Sequence, residues 1–199
     1  MIKKNFIFIL ALVFLCGCEA QVADRDPKGG PIVCFGDSLT AGFGADEGRD
    51  YPSVLRSKLD LPVINAGVSG DTTADGLRRL ERDVLQQDPK IVIITLGGND
   101  FMRGVPREEI LRNMGTIIDR IQEHGAMVVW AEERIGLLGD AYIGDFKKLA
   151  HQKHVLLIPD VLHGIFFDPR YKSDRIHPNS EGYRIMAERI YKHIKPLLK

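Results

Sequence analysis

The sequence predicts an α/β protein, a three-layer α/β/α sandwich built on a five-stranded parallel sheet. Two observations carry this. Five short runs made almost wholly of apolar residues alternate along the chain with stretches whose apolar residues recur at three- and four-residue steps. The runs are apolar at successive positions, not at every second one, as strands covered on both faces require. Right-handed crossovers then place helices on both faces of the sheet, and the loop after each strand falls on the same edge.

Taken in order, the first strand is Ile32 to Phe35, which follows a polar linker containing Pro and Gly from Glu19 to Gly30. The second is Val63 to Ala66, the third Ile91 to Leu96, the fourth Met127 to Trp130 and the fifth Val155 to Ile158. Helical periodicity occupies Pro52 to Leu59, Thr73 to Gln87, Arg107 to Glu123 and Asp140 to Lys153. A last helix runs from about Asn179 to Lys195, where Tyr183, Ala187, Ile190 and Ile194 form one apolar stripe. Neither a repeat nor a second domain is visible.

Composition bounds the function. The 199 residues carry 27 basic and 27 acidic side chains and 44% hydrophobic residues, enough for one domain with a sizeable core. Zero formal net charge and the lack of a basic run argue against a nucleic-acid partner. No residues stand at metal-ligand spacing: His151 and His154 lack a Cys or acidic partner motif and read as solvated helix residues. No metal or other cofactor is expected.

The N-terminus reads as an export signal. Lys3 and Lys4 precede the apolar run Phe6 to Leu15, too short to span a bilayer comfortably. The run ends in Leu15-Cys16-Gly17-Cys18, which resembles a bacterial lipobox; a cut after Ala20 is the alternative. The expected organisation is a signal peptide over 1–17, a tether over 18–30 beginning at a lipidated Cys18, and a domain over 31–199. Glu19 stands where inner-membrane lipoproteins often carry Asp, so the outer membrane is the expected destination, with the domain in the periplasm. Cys34 is then left without a disulfide partner and reads as a small buried residue.

The strand-end loops carry the chemistry. Ser38 follows the first strand, Asn65 to Thr72 the second, Gly97-Gly98-Asn99-Asp100 the third, and Asp174-Arg175-Ile176-His177-Pro178 the fifth. Acyl transfer by a serine needs a nucleophile, a base, a group that orients the base, and donors for the developing oxyanion. Ser38 is the candidate nucleophile. His177 is the candidate base, with Asp174 three residues earlier able to hold Nδ1 so that Nε2 faces Ser38. Gly70 offers an unobstructed backbone amide and Asn99 a side-chain NH2. His163 is the rival base. It is set aside for want of an acidic partner, and because apolar Ile165-Phe166-Phe167 follow, so a structural role is expected.

The four blocks Gly36-Asp37-Ser38-Leu39, Asn-Ala-Gly-Val-Ser-Gly70-Asp-Thr, Gly97-Gly98-Asn99-Asp100 and Asp174 to Pro178 resemble those of the GDSL, or SGNH, hydrolase superfamily, in its order. The surroundings are most similar to its bacterial thioesterase I/lysophospholipase/arylesterase branch. The resemblance implies a flavodoxin-like sandwich and an oxyanion hole made by the Ser38 and Gly70 amides and the Asn99 side chain. It also implies a cofactor-free esterase or thioesterase acting on a small acyl ester or lysolipid, as a monomer. Phe101, Met102, Ile135, Leu137, Leu138 and Tyr142 flank the site and favour an acyl groove. An O-acetylesterase of envelope polysaccharide is the alternative, and a phosphate- or flavin-binding module without catalysis is a third reading.

Overall fold

The computed structural model describes residues 30–134 and 143–198. The expected leader, Cys18 and nearly all of the tether lie outside them, as do Ile135, Leu137, Leu138 and Tyr142. Among the described residues the strands are β1 (Ile32–Gly36), β2 (Val63–Gly67), β3 (Ile91–Thr95), β4 (Met127–Ala131) and β5 (Leu156–Ile158). The helices are α1 (Ser38–Ala41), α2 (Tyr51–Lys58), α3 (Thr73–Asp83), α4 (Gly98–Met102), α5 (Arg107–Glu123), α6 (Ile143–Gln152) and α7 (Ser180–Ile194). All strand pairs are parallel, in the order β2-β1-β3-β4-β5.

The apolar runs have a simple physical reason. Residues of β1 and β3 are buried at every position, and successive ones enter two different cores. Ile32, Cys34, Ile91 and Ile93 pack on one face with Tyr51 and Leu55 of α2 and Tyr183, Ala187 and Ile190 of α7. Val33, Phe35, Val92 and Ile94 pack on the other with Leu80 of α3, Met114, Ile117 and Ile118 of α5, and Ala150 of α6. A polar residue at any of these positions would be stranded in one core or the other. Cys34 is fully buried, and burial pushes its thiol up to about 12, so it behaves as the small apolar residue expected.

This strand order makes the chain reverse direction across the sheet between β1 and β3, because β2 lies to one side of β1 and every later strand to the other. Crevices open at such switch points, outside the carboxyl ends of the strands. Ser38 follows β1 and Asn99 follows β3, so both stand at its rim.

The departures from expectation have local causes. The helices α1 and α4 are four and five residues long, less than two turns, and show no periodicity to read. The helix expected over Thr73 to Gln87 ends at Asp83, where Val84 leaves helical geometry at φ −123°, and the chain then tightens into a 3₁₀ turn over Leu85–Gln87 that closes at Asp88, just before Pro89. Gly67 ends β2, where a Cβ would strike the backbone of Thr40 and Ala41, so glycine is what lets α1 lie against the strand end. His154 lies past the end of α6 at φ 52°, not on the helix.

Candidate active site

Ser38 is the first residue of α1. Asp37, buried at the end of β1, caps that helix by accepting from the Leu39 N–H at 2.9 Å. The cap and Gly42 in the left-handed region at φ 84° hold α1 to a single turn, so Ser38 stays at the strand edge.

The loop before α7 is fixed at both ends. Ser173 N–H donates to the His177 carbonyl at 3.0 Å, Asn179 N–H to that of Tyr171 at 2.9 Å, and the Asn179 side chain caps α7. Within it, Asp174 Oδ1 accepts from the Ile176 and His177 N–H groups, each at 2.7 Å. Its other oxygen lies 2.8 Å from His177 Nδ1, and His177 Nε2 lies 2.9 Å from Ser38 Oγ. Burial works against the charge on Asp174, but the hydrogen bonds from the His177 backbone and ring and from Ile176 outweigh it and hold the carboxyl at about 2. Asp174 therefore stays ionised and keeps the proton of His177 on Nδ1, leaving Nε2 as the acceptor toward serine. Phe43 rests against the imidazole with ring centroids 4.5 Å apart.

Gly70 sits in the turn closed by Asp71 N–H to the Val68 carbonyl, at φ 86°, where no side chain is tolerated without strain. Asn99, in α4, turns its amide inward: Nδ2 donates to Asp37 Oδ2 and to the Asp71 carbonyl, both at 2.9 Å. Ser38, Gly70, Asn99 and His177 line one cleft of about 270 Å³. Its apolar wall is Leu39, Phe43, Met102, Leu162 and Ile176. Of the residues expected to form an acyl groove, Met102 is in this wall and Phe101 is not.

His163 needs a correction. Asp160 stands three residues before it, the same spacing as Asp174 and His177, and accepts at 3.3 Å from its Nδ1. The side chain is 81% exposed and does not line the cleft, so it is neither a packing residue nor part of the site.

Two further features are not apparent as site components in sequence. Arg79 of α3 is buried and spans the strand ends: Nε donates to Asp71 Oδ2 at 2.5 Å, Nη1 to the Ala66 carbonyl and Nη2 to that of Gly36, both at 2.8 Å. Three-residue steps from Thr73 through Gly76 to Arg79 place it on the inward face, and that was the available signal. Asp100 is fully buried beneath the Gly70 loop, accepting from the Thr73 N–H at 2.8 Å and its hydroxyl at 2.6 Å. Burial raises the carboxyl of Asp100 and, more strongly, that of Asp37, which reaches about 7 with Asp71 and Asp100 adding repulsion.

A serine whose hydroxyl meets a histidine, itself held by a carboxylate, at the switch point of a parallel sheet is the arrangement of a serine-type acyl hydrolase. Residues 34–185 match the sequence profile of the GDSL-like lipase/acylhydrolase family. An arylesterase of Vibrio mimicus is 32% identical, over 93% of this chain and 97% of its own. The thioesterase 1/protease 1/lysophospholipase L1 of Escherichia coli is 28% identical over 97% and 92%. The crystal structure of TesA superposes with a TM-score of 0.79 at 29% identity, covering 84% of this chain and 99% of that one. The chain belongs to the GDSL-like lipase/acylhydrolase family and is a carboxylic ester hydrolase with the SGNH hydrolase fold. These comparisons favour esterase or thioesterase activity over the O-acetylesterase and binding-module readings.

Proposed function

We propose that Ser38, His177 and Asp174 are the catalytic residues and that the protein hydrolyses small acyl esters: lysophospholipids, aryl or short-to-medium acyl esters, and acyl thioesters. Ser38 Oγ attacks the acyl carbon as its proton passes to His177 Nε2, and Asp174 stabilises the imidazolium that forms. The Ser38 and Gly70 amides and Asn99 Nδ2 receive the oxyanion. Collapse of the tetrahedral adduct expels the alcohol or thiol, which takes the proton from His177. Water, deprotonated by His177, then attacks the acyl-serine and releases the carboxylic acid. The observation that carries this reading is the unbroken hydrogen-bonded line from Asp174 through His177 to Ser38, at 2.8 and 2.9 Å.

Ser38→Ala is expected to remove p-nitrophenyl ester hydrolysis and labelling by a fluorophosphonate while leaving the thermal transition in place. Wild-type turnover by the purified variant would refute the assignment.

We also propose that residues 1–17 are a cleaved lipoprotein signal, that Cys18 is acylated, and that 18–30 tether a monomeric domain over 31–199 to the periplasmic side of a membrane, the outer one in preference to the inner. The charged start, short apolar run and Leu-Cys-Gly-Cys sequence support this. More than one acyl chain at Cys18 suffices for stable anchoring. Metabolic labelling with a palmitate analogue, then fractionation, is expected to find wild type labelled and membrane-bound and Cys18→Ser unlabelled. A soluble, unlabelled wild type would sink the anchor and leave the catalytic assignment untouched.

A further inference from the structure

Two glutamates follow β4, and only one is satisfied. Glu132 is tied to β5, its N–H donating to the Ile158 carbonyl at 2.9 Å and its own carbonyl accepting from Val161 at 3.0 Å. Its carboxylate accepts from the Asp160 N–H at 3.2 Å and faces Arg134 at 3.8 Å. Glu133 turns the other way and lines the cleft with Ser38, Asn99 and His177. Both of its carboxyl oxygens are shielded from solvent, and neither has a partner at full hydrogen-bond geometry among the described residues, the Gly98 N–H being the donor nearby. An unmet buried polar group is costly, so a group left this way at the wall of a substrate cleft is set up for a partner that arrives with the substrate.

The chemistry of that partner follows from the state of the carboxyl. Burial raises it well above the carboxylate range, Asp37 and Asp100 raise it further, and the nearby Gly98 N–H offsets only part of this. The shift is toward the neutral acid, which has one O–H to give and a carbonyl oxygen to accept with. A hydroxyl has the same pair of functions and is its complement. Apart from the groups assigned to catalysis, Asp37 behind Asn99 and the exposed Ser69 in the Gly70 loop, the wall is Leu39, Phe43, Met102, Leu162 and Ile176, which can select for shape and apolar area but not for a polar substituent.

We propose that Glu133 is a specificity-determining residue: it forms a polar subsite in the catalytic cleft that takes a hydroxyl carried by the substrate, on the acyl or the alcohol side of the scissile ester. This rests on the assignment of the cleft as the catalytic one. A plain alkyl group in the same place leaves the carboxyl unpartnered and is bound less well. Discrimination built on a hydrogen bond of this kind is stronger than a pocket obtains from apolar contact alone.

The test is kcat/KM for two matched pairs, glyceryl monobutyrate against propyl butyrate and p-nitrophenyl 3-hydroxybutyrate against p-nitrophenyl butyrate. Wild type, Glu133→Gln and Glu133→Leu are compared, with Glu133→Ala in place of Leu if that variant does not fold. Comparing the hydroxyl-to-plain ratio between proteins cancels the intrinsic reactivity of each ester. In at least one pair the wild-type ratio is expected to exceed that of Glu133→Leu by about tenfold, the effect of one hydrogen bond of about 1.4 kcal/mol. Glu133→Gln, which still gives and accepts, stays within about threefold of wild type. Equal ratios in all three proteins overturn the subsite. So does a selective advantage for butyrylcholine that Glu133→Gln loses, since the group would then be a carboxylate meeting a cation. Folded wild type that cleaves none of these esters fails the esterase reading itself, whereas cleavage without discrimination fails the subsite alone.

Discussion

Asn99 gives both of its Nδ2 hydrogens to protein acceptors, Asp37 Oδ2 and the Asp71 carbonyl. To serve an oxyanion, one of these must be shared or released. The Asp71 carbonyl is a neutral acceptor and the oxyanion a charged one, and hydrogen bonds to charged groups are roughly twice as strong, so the exchange favours the transition state over the resting site. The bond to Asp37 meanwhile keeps the amide in place. Asn99→Ala is expected to lower kcat by about 10²- to 10³-fold with a smaller change in KM, because the donor acts where charge develops. Steady-state kinetics on p-nitrophenyl butyrate decide it, and a change confined to KM would make Asn99 a substrate-binding residue instead. Gly70 belongs to the same scale: its φ of 86° and not crowding demands glycine, since a Cβ there meets nothing nearer than Arg103 Nη2 at 3.6 Å.

Among the elements, α3 does more than cover the sheet. Its residue Arg79 reaches the carbonyl of Gly36 two positions before Ser38, the carbonyl of Ala66 at the end of β2, and the carboxylate of Asp71 one position after Gly70. One planar guanidinium thereby fixes the spacing of two strand ends and the loop between them, and it also lies over the Phe35 ring at 4.5 Å. Removing it strands Asp71 in a site where both partners are about nine-tenths buried. Arg79→Ala is expected to cost about 3 kcal/mol or more in urea unfolding, and Arg79→Lys to recover only part, since a point charge cannot meet three acceptors in a plane. A loss below about 1 kcal/mol for Arg79→Ala would show that the strand ends hold their spacing without it. The strands were legible in sequence because burial on both faces leaves β1 and β3 apolar but for Gly36 and Thr95 at their ends. The turns α1 and α4 were not, being too short for any period, and a buried arginine clamp leaves only the faint mark of a charge on an inward helix face. The residues proposed as nucleophile, base and orienting acid stand out in sequence because each lies in a polar block at a strand end or before α7. The apolar wall was not, since Leu39, Phe43, Leu162 and Ile176 come from separate stretches that only the folded chain brings together.

For the molecule as a whole, the switch point concentrates carboxyl groups of one kind. Asp37, Asp100 and Glu133 all gather at the crevice, and burial raises all three. The carboxyls with lowered values, Asp174, Asp75, Asp83, Asp168, Glu181 and Glu188, lie toward the surface and are held down by hydrogen bonds or ion pairs. The two sets act on stability in opposite directions. A lowered carboxyl stabilises the fold above its unfolded value of about 4 and loses that contribution as the pH falls through the folded value. A raised one binds more protons folded than unfolded, so its contribution is complete below about pH 4 and is lost as the pH rises through the folded value. For Asp37 the window of loss therefore runs from about 4, its unfolded value, to about 7. Unfolding free energies at pH 4.5, 6.0 and 7.5 should show wild type losing stability with rising pH relative to Asp37→Asn, whose amide does not titrate. The difference between the two proteins removes the shared groups that do not interact with Asp37. The lowered carboxylates contribute slope only toward the pH 4.5 end, where the unfolded chain still binds some protons, and that slope cancels in the difference. Parallel stability curves for wild type and Asp37→Asn would mean that Asp37 is ionised in the folded protein throughout the range. The Asn99 amide would then be hydrogen-bonded to a full negative charge, which would hold it more firmly in place while its bond to the Asp71 carbonyl is exchanged for the oxyanion.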